Sequence, residues 1–186
     1  MTRGRRPPVP GQQAHPGVDA MIRVDHAGEF GALQIYKGQL AVLERIQSEG
    51  PSVRTIRRMA EQEQQHFDKF DRMVRDRGVR PTALEPLWRV AGFALGAATA
   101  LMGERAAMAC TVAVEDVIDA HYGKQVAHVP EQEGALKEVL AEFREDELEH
   151  RDMALQHGAT EAPGYRLLTS AIRACCRTAI ALSEKL

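Results

Sequence analysis

Apolar residues recur along most of the chain at spacings of three and four, which is the period of a helix with one buried face. The strict alternation of apolar and polar residues that is typical of strands is absent. Glycine and proline residues interrupt the pattern and divide it into six stretches. We predict helices over 19–48, 52–78, 87–102, 104–129, 133–157 and 165–185, with Ser52 as the N-cap of the second helix and Gly78 at its end. The predicted fold class is therefore all-α.

Four of these stretches carry acidic side chains on their apolar faces. Glu29, for example, shares a helix face with Ile22, Leu33 and Tyr36. An unpaired buried carboxylate is costly or gives up its charge, so buried acids are paired or bind metal. The faces together contain four carboxylates and two imidazoles: Glu29, Glu63, His66, Glu115, Glu147 and His150. Two imidazoles are too few to neutralise four carboxylates, and this favours a metal centre.

These acidic and histidine residues form one pattern that occurs twice. Glu29 precedes a Glu-x-x-His unit that ends at His66, and Glu115 precedes a second unit that ends at His150. The intervals are 34 residues (29 to 63) and 32 residues (115 to 147). Residues three apart share a helix face, so each unit presents one carboxylate and one imidazole together. A single Glu-x-x-His is most often a solvated surface pair, but that interpretation does not explain two copies at matched intervals.

Four glutamates and two histidines from four helices are the ligand set of ferritin-like di-iron or di-manganese carboxylate bundles. We therefore predict a ferritin-like four-helix bundle that binds two metal ions. Two of the six predicted helices supply no ligand, and they are additions to this bundle. One is a short apolar insert, and the other is C-terminal.

Several residues repeat with the ligands and are candidates for their surroundings. Tyr36 and Tyr122 follow Glu29 and Glu115 by seven residues. Two helical turns correspond to a rise of about 10.5 Å, so neither tyrosine is a metal ligand. Each tyrosine either lines a channel or fills the core, and the core interpretation is favoured. The residues that we predict to surround the ligands or to line a channel are Tyr36, His121, Tyr122 and Asp146. For Asp146, a solvated helix face is an equally good interpretation.

Composition restricts the remaining functions. The chain has 186 residues, enough for one domain with a sizeable core. Its formal net charge is −2, so there is no electrostatic case for binding nucleic acid. The three cysteines lack the spacing of a zinc site. Cys175 and Cys176 are adjacent, which suits no ordinary disulfide and indicates a reducing compartment.

Residues 1–18 differ from the rest of the chain in composition. They contain four prolines and the arginines Arg3, Arg5 and Arg6. The segment does not match a signal peptide, and its prolines and lack of serine disfavour a mitochondrial transit helix. We predict a disordered leader over 1–18 and one domain over 19–186.

The apolar insert contains a run of fourteen residues without a charge, from Val90 to Gly103. A helix needs about 20 apolar residues to span a bilayer, so this run is too short. Two interpretations remain open. The helix lies at a bilayer surface with Trp88 at the interface, or it is buried inside the bundle. The C-terminal stretch also has one apolar face and the same ambiguity.

Five stretches carry a resemblance to a known family. They are RVDHAGEFGA (23–32), PLW (86–88), GFALG (92–96), MACTVAVE (108–115) and DELEH (146–150). In these stretches, and over 19–186 as a whole, the chain resembles the demethoxyubiquinone hydroxylases of ubiquinone biosynthesis. The resemblance includes both the ligands and the apolar insert, which makes it specific.

The resemblance implies a ferritin-like di-iron monooxygenase that uses dioxygen to hydroxylate the quinol ring of a polyprenylated precursor. It implies two iron ions per chain, held by the six residues named above, with Glu63 and Glu147 bridging the metals. An external reductant is then needed, and NADH is a candidate. The resemblance also favours the membrane surface for 87–102, and it makes other proteins of ubiquinone biosynthesis candidate partners.

The expected location is peripheral, on the cytoplasmic face of a bacterial inner membrane, with the matrix side of the mitochondrial inner membrane as the alternative. Two other classes of function stay open. One is iron or peroxide handling on the same fold, as in ferritins and rubrerythrins, and the other is a non-catalytic quinone-binding module. The first does not account for the apolar insert, and the second leaves open metal coordination positions without a use.

Overall fold

The computed structural model describes residues 16–186, and within this range the chain is helical with no strand. The all-α prediction is confirmed. The helices are α1 (Pro16–Gln47), α2 (Pro51–Arg77), α3 (Glu85–Leu101), α4 (Glu104–His128), α5 (Gly134–Gln156) and α6 (Tyr165–Ser183), with short 3-10 turns at Glu131–Glu133 and Ala159–Glu161. Residues 1–15 of the predicted leader lie outside the described residues. Residues 16–18 begin α1, so the prediction that the leader extends to 18 is wrong there.

The ends of α2 show which local predictions hold. Gly78 has a left-handed φ of 65° and donates its N–H to the Arg75 carbonyl, so the predicted end is confirmed. The predicted N-cap at Ser52 is wrong. Gly50 occupies that position, because Pro51 is suited to the first helical turn, where its missing N–H is not needed. The Ser52 hydroxyl instead donates to Glu104 Oε2 at 2.8 Å and connects the starts of α2 and α4.

The core of the molecule is a four-helix bundle made from two antiparallel hairpins, α1–α2 and α4–α5. Two apolar clusters fill it. Tyr36, Ile56 and Met108 belong to the cluster at one end, and Ile22 and Phe70 belong to the cluster at the other. The four helices carry the predicted ligands at positions between the two clusters. Apolar side chains therefore separate the ligands from both ends of the bundle.

Helices α3 and α6 lie outside the bundle, and each packs against one of its helices in the same way. Helix α3 packs along α1, and α6 packs along α4, each parallel to its neighbour. The α1–α3 contact depends on glycine, because a Cβ at Gly96 would overlap the backbone carbonyl of Ile35. Small residues of this kind allow two helix backbones to approach closely. The Trp88 indole N–H donates to Ser183 Oγ at 3.0 Å and links α3 to α6.

Much of the apolar surface of α3 and α6 faces outward. Only Gly96, Thr99 and Ala100 of α3 are buried, so the interpretation that this segment lies inside the bundle does not hold. The exposed apolar side chains on and beside these helices include Leu87, Val90, Phe93, Leu101, Met102, Leu167 and Leu182. None of the helices in 16–186 has both the length and the apolar character needed to cross a membrane.

Candidate metal centre

The six sequence-predicted ligands meet at one place in the middle of the bundle. Helix α1 supplies Glu29, α4 supplies Glu115, and α2 and α5 each supply one Glu-x-x-His unit. All six residues are buried, with at most 2% of their surface exposed. Their donor atoms form two groups of four: Glu29, Glu63, His66 and Glu147 in one, and Glu63, Glu115, Glu147 and His150 in the other. Glu63 and Glu147 belong to both groups.

Both imidazoles present Nδ1 to the centre. His66 Nδ1 lies 3.3 Å from Glu147 Oε1 and 3.6 Å from Glu29 Oε2. His150 Nδ1 lies 3.2 Å from Glu63 Oε1 and 3.3 Å from Glu147 Oε2. Glu147 therefore faces both rings, with one carboxylate oxygen toward each.

The buried atoms that face the centre have no conventional hydrogen-bond partner. They are Glu29 Oε2, both oxygens of Glu63, His66 Nδ1, Glu115 Oε2, both oxygens of Glu147 and His150 Nδ1. Buried polar atoms without partners are rare, and here eight of them converge. Oxygen and imidazole donors suit iron or manganese, and four carboxylates match the charge of two divalent cations. The residues present thus fit a pair of metal ions.

A second group of side chains holds the outer nitrogen of each ligand histidine. His66 Nε2 lies 3.0 Å from Asp146 Oδ2, and His150 Nε2 lies 3.2 Å from Gln62 Oε1. Asp146 was predicted from its sequence position to surround the ligands, whereas Gln62 was not predicted. A signal was present, because each residue immediately precedes the glutamate of its Glu-x-x-His unit.

Each lone glutamate accepts a hydrogen bond from the tyrosine of the other half of the chain. The Tyr36 hydroxyl donates to Glu115 Oε1 at 2.7 Å, and the Tyr122 hydroxyl donates to Glu29 Oε1. Both tyrosines are buried, and their burial raises the pKa of each well above its ordinary value, so they donate as neutral phenols. These bonds occupy one oxygen of each glutamate and leave the other facing the centre.

The antiparallel pairing of α1 and α4 produces this exchange. Seven residues separate each tyrosine from the glutamate on its own helix, a rise of about 10.5 Å. On an antiparallel neighbour the same displacement is reversed, so each tyrosine reaches the level of the partner glutamate. Tyr36 and Tyr122 fill the core, as favoured from the sequence, and they also contact the candidate ligands.

His121 lies away from the ligands, in a hydrogen-bonded network with Asp25 and Gln125 that was not predicted from the sequence. Its Nε2 is 3.1 Å from Asp25 Oδ1, and the Gln125 amide donates to the same oxygen at 2.9 Å. Burial raises the pKa of Asp25 to about 6, although the hydrogen bond from His121 opposes the shift. Asp25 precedes Glu29 by one helical turn, so the network borders the centre without contributing to it.

The electrostatics of the ligands show that the metal-free centre cannot keep all four carboxylates ionised. Burial and the neighbouring Glu147 raise the pKa of Glu63 well above its ordinary value, and the same two causes act on Glu115. Burial alone would also raise the pKa of Glu147, but the nearby imidazoles of His150 and His66 outweigh it and lower that pKa to about 2. Burial alone would lower the pKa of His66, but the nearby carboxylates of Glu147 and Glu29 outweigh it and raise that pKa to about 11.

An apolar cavity approaches the centre from the side of α3 and α6. Its volume is about 180 Å³, and residues of α1, α3, α4 and α6 line it, among them Gly31, Leu95, Ile118 and Ala179. A smaller cavity adjoins it and is lined by Tyr36, Thr111 and Glu115. The two cavities share Ala32, Ile35 and Val114 as walls. These three side chains therefore stand between the larger cavity and the candidate ligand Glu115.

The known proteins that are similar to this chain belong to one family. A family model described as ubiquinone biosynthesis protein COQ7 matches residues 16–183. A Rhodospirillum rubrum protein named 3-demethoxyubiquinol 3-hydroxylase is 51% identical over 168 residues, which cover 90% of this chain and 78% of that protein. The Homo sapiens NADPH-dependent 3-demethoxyubiquinone 3-hydroxylase, mitochondrial, is 52% identical over 91% of this chain and 78% of its own length. The Saccharomyces cerevisiae 5-demethoxyubiquinone hydroxylase, mitochondrial, is 39% identical over 91% and 78% of the two chains.

The raised pKa of Glu63 predicts that its substitution has opposite effects on the two forms of the protein. In the metal-free form, Glu63 costs stability as pH rises from its unfolded value of 4.5 through its higher folded value. We expect Glu63→Gln to raise the free energy of unfolding of the metal-free protein by about 1–4 kcal/mol at pH 8, and by less at pH 5. With two equivalents of Fe²⁺ under anaerobic conditions the variant becomes the less stable protein, because it has lost a ligand.

Urea unfolding of both forms measures this effect, and Glu138→Gln, an exposed carboxylate on α5, is the matched control. A metal-free Glu63→Gln protein that is less stable than the wild type at both pH values contradicts the prediction.

Proposed function

Because the chain belongs to the family of ubiquinone biosynthesis protein COQ7, we propose that it is a 3-demethoxyubiquinol 3-hydroxylase with a di-iron centre. The observation that carries the proposal is the set of eight unpartnered donor atoms, which belong to two overlapping ligand groups inside the bundle. Iron is favoured over manganese and zinc because the reaction needs a metal that reduces dioxygen. When bound, the iron pair supplies that redox chemistry.

The protein's own residues hold the ligands in position. Glu63 and Glu147 belong to both ligand groups, so we assign to them the role of bridging the two ions. With Nδ1 of each histidine directed at a metal, Nε2 carries the proton. The Nε2–H of His66 then donates a hydrogen bond to Asp146, and that of His150 donates one to Gln62. Tyr36 holds Glu115 in position by donating a hydrogen bond to its Oε1, the oxygen that does not face the centre. The apolar clusters at both ends exclude water from the centre.

The cavities supply a route for a lipid quinol. The larger cavity is apolar and lies between the outer helices and the bundle, which suits a polyprenyl substituent. The smaller cavity next to it is bordered by Glu115 and Tyr36 and is too narrow for the ring as it stands, so we propose that Ala32, Ile35 and Val114 shift to admit the ring that is to be oxidised. The quinol then enters between α3 and α6 with its ring first, and its tail stays on the side where those helices expose apolar surface.

The reaction requires electrons from outside the protein. One oxygen atom of dioxygen enters the ring C–H bond, and the other leaves as water, which consumes two electrons and two protons. The human relative is named as NADPH-dependent, so we propose a reduced nicotinamide as the source for this chain as well. A comparison of NADH with NADPH in the purified system decides between the two donors.

We further propose that the protein binds a membrane peripherally through α3 and α6. Val90 and Leu101 are 67% and 74% exposed, which is unusual for apolar side chains that cluster with others. The substrate tail resides in the bilayer, and moving it into water costs about 0.8 kcal/mol per methylene group. A site that opens toward the bilayer avoids that cost. The cytoplasmic face of a bacterial membrane and the matrix side of the mitochondrial inner membrane both fit this arrangement, and relatives of both origins exist.

Expression of the chain in a bacterium that lacks its own hydroxylase tests the activity. We expect the hydroxylated quinone to appear and the purified protein to contain about two iron ions per chain. Glu147→Ala abolishes the product, because it removes a ligand of both ions, whereas Tyr36→Phe lowers the rate by about 10–100-fold. Quinone extraction with mass spectrometry and iron analysis provide the readouts, and Glu138→Ala is the control. A folded Glu147→Ala protein with wild-type turnover rules out the proposed mechanism.

A bulky residue in the larger cavity should block the substrate without disturbing the metals. Ala179 lines the cavity from α6, whereas Ala174 is on the same helix and exposed. We expect Ala179→Trp to raise the KM for a long-tailed quinol or to lower kcat/KM at least tenfold, with iron content unchanged. Ala174→Trp, the matched control, keeps wild-type kinetics. Equal kinetics in the two variants would show that the quinol takes another route.

A charge on the exposed face of α3 should weaken membrane binding. We expect Val90→Glu and Leu101→Glu each to lower the fraction of protein that floats with phospholipid vesicles, because burial of an ionised side chain in the bilayer is costly. Gln65→Glu adds the same charge on the exposed surface of α2 and serves as the control. Circular dichroism checks that the helices remain. Undiminished flotation of both folded α3 variants would mean that another surface binds the membrane.

A further inference from the structure

The two halves of the metal centre differ in the group that holds each ligand histidine. The outer nitrogen of His66 faces a carboxylate, Asp146 Oδ2, at 3.0 Å. The outer nitrogen of His150 faces an amide oxygen, Gln62 Oε1, at 3.2 Å. Asp146 and Gln62 occupy equivalent positions, one residue before the glutamate of each repeated unit. The repeat therefore places a charged acceptor on one side of the centre and a neutral acceptor on the other.

This difference changes the strength of the two imidazole ligands. A carboxylate that accepts the Nε2 proton increases the electron density at Nδ1, and it adds a negative charge near the metal. An amide oxygen orients the ring in the same way but carries no net charge. Removal of a partner of this kind costs about 10–100-fold in metal affinity in other metal sites. The His66 side of the centre is thus the stronger ligand environment.

Most of the other contacts are matched between the two sides. Glu29 and Glu115 each accept a hydrogen bond from a buried tyrosine. Glu63 and Glu147 are shared by both ligand groups. The His66 ring also stacks on Phe143, with ring centroids 3.8 Å apart, but this contact carries no charge. The charge on the histidine partner is therefore the difference that bears most directly on metal affinity.

We propose that the centre fills in a fixed order. The site formed by Glu29 and His66 with the shared glutamates binds its ion first and more tightly, and the site formed by Glu115 and His150 binds the second ion. Asp146 and Gln62 are the positioning residues that set this order. The proposal rests on the di-metal centre of the proposed function and assigns unequal roles to its two halves.

Titration of the metal-free, full-length protein with Mn²⁺ under anaerobic conditions tests the order. Electron paramagnetic resonance distinguishes an isolated Mn²⁺ ion from a coupled pair. We expect the isolated signal to dominate at one equivalent and the coupled signal at two, with the two dissociation constants separated by at least about tenfold beyond the statistical ratio. His150→Ala should keep the tight step, and His66→Ala should remove it.

Two single substitutions each remove the charge difference between the acceptors. Asp146→Asn should weaken the first step by about 10-fold or more, and Gln62→Glu should strengthen the second, so that each narrows the separation. Glu145→Gln and Gln65→Glu are the matched controls. They make the same charge changes at exposed positions on α5 and α2, and we expect them to leave the separation unchanged. Circular dichroism confirms that every variant remains helical.

The outcomes distinguish this proposal from the function on which it rests. Two ions that bind with equal affinity, or a second ion that binds more tightly than the first, overturn the order while leaving the di-metal centre intact. An Asp146→Asn protein that behaves like Glu145→Gln overturns the role of Asp146. Binding of a single ion that is unaffected by Glu115→Ala overturns both the order and the di-metal centre.

Discussion

The negative charge of four carboxylates in one buried place is the constraint on which the rest of the structure depends. Two imidazoles neutralise part of it, and they do so mainly for Glu147, whose pKa falls while those of Glu63 and Glu115 rise. A bundle of this size gains nothing in stability from such a cluster, because apolar residues of similar volume would pack at lower cost. The cations that we propose it binds explain the cluster. The apolar clusters on either side of the ligands supply the stability that the centre itself does not.

Helix pairing converts an internal repeat into one centre. Each half of the chain carries a lone glutamate, a Glu-x-x-His unit and a tyrosine, but neither half is sufficient alone. The shared glutamates come from different hairpins, and each lone glutamate is held by the tyrosine of the opposite half. The histidine partners are exchanged in the same way, since Asp146 on α5 serves His66 on α2. A centre assembled across the halves is rigid only when both hairpins are docked.

The outer helices α3 and α6 define the side from which the apolar cavity approaches the centre. Helix α3 approaches α1 closely through glycine, and Trp88 joins it to α6, so that the two helices form one wall over the apolar cavity. Their outward faces are apolar, and their inward faces line the larger cavity, which adjoins the smaller cavity beside Glu115. The polar chemistry of the bundle is thereby connected to a surface suited to lipid. In the proposed function, this connection lets a substrate with a long apolar tail reach a dry, charged centre.

The sequence by itself determined the helices, the repeated ligand pattern and the apolar insert. Helical periodicity and the intervals between residues along the chain are local properties. It did not determine which side chain meets which across the bundle. Tyr36 was placed correctly in the core, but its bond to Glu115 depends on the antiparallel register of α1 and α4. The hydrogen-bond partners of Gln62 and Asp25 were not predicted either, since those partners are 88 and 96 residues away in the sequence. Local pattern fixes the face of a helix, whereas the packing of the whole core fixes how far one helix is shifted along another, and only the tertiary structure contains that shift.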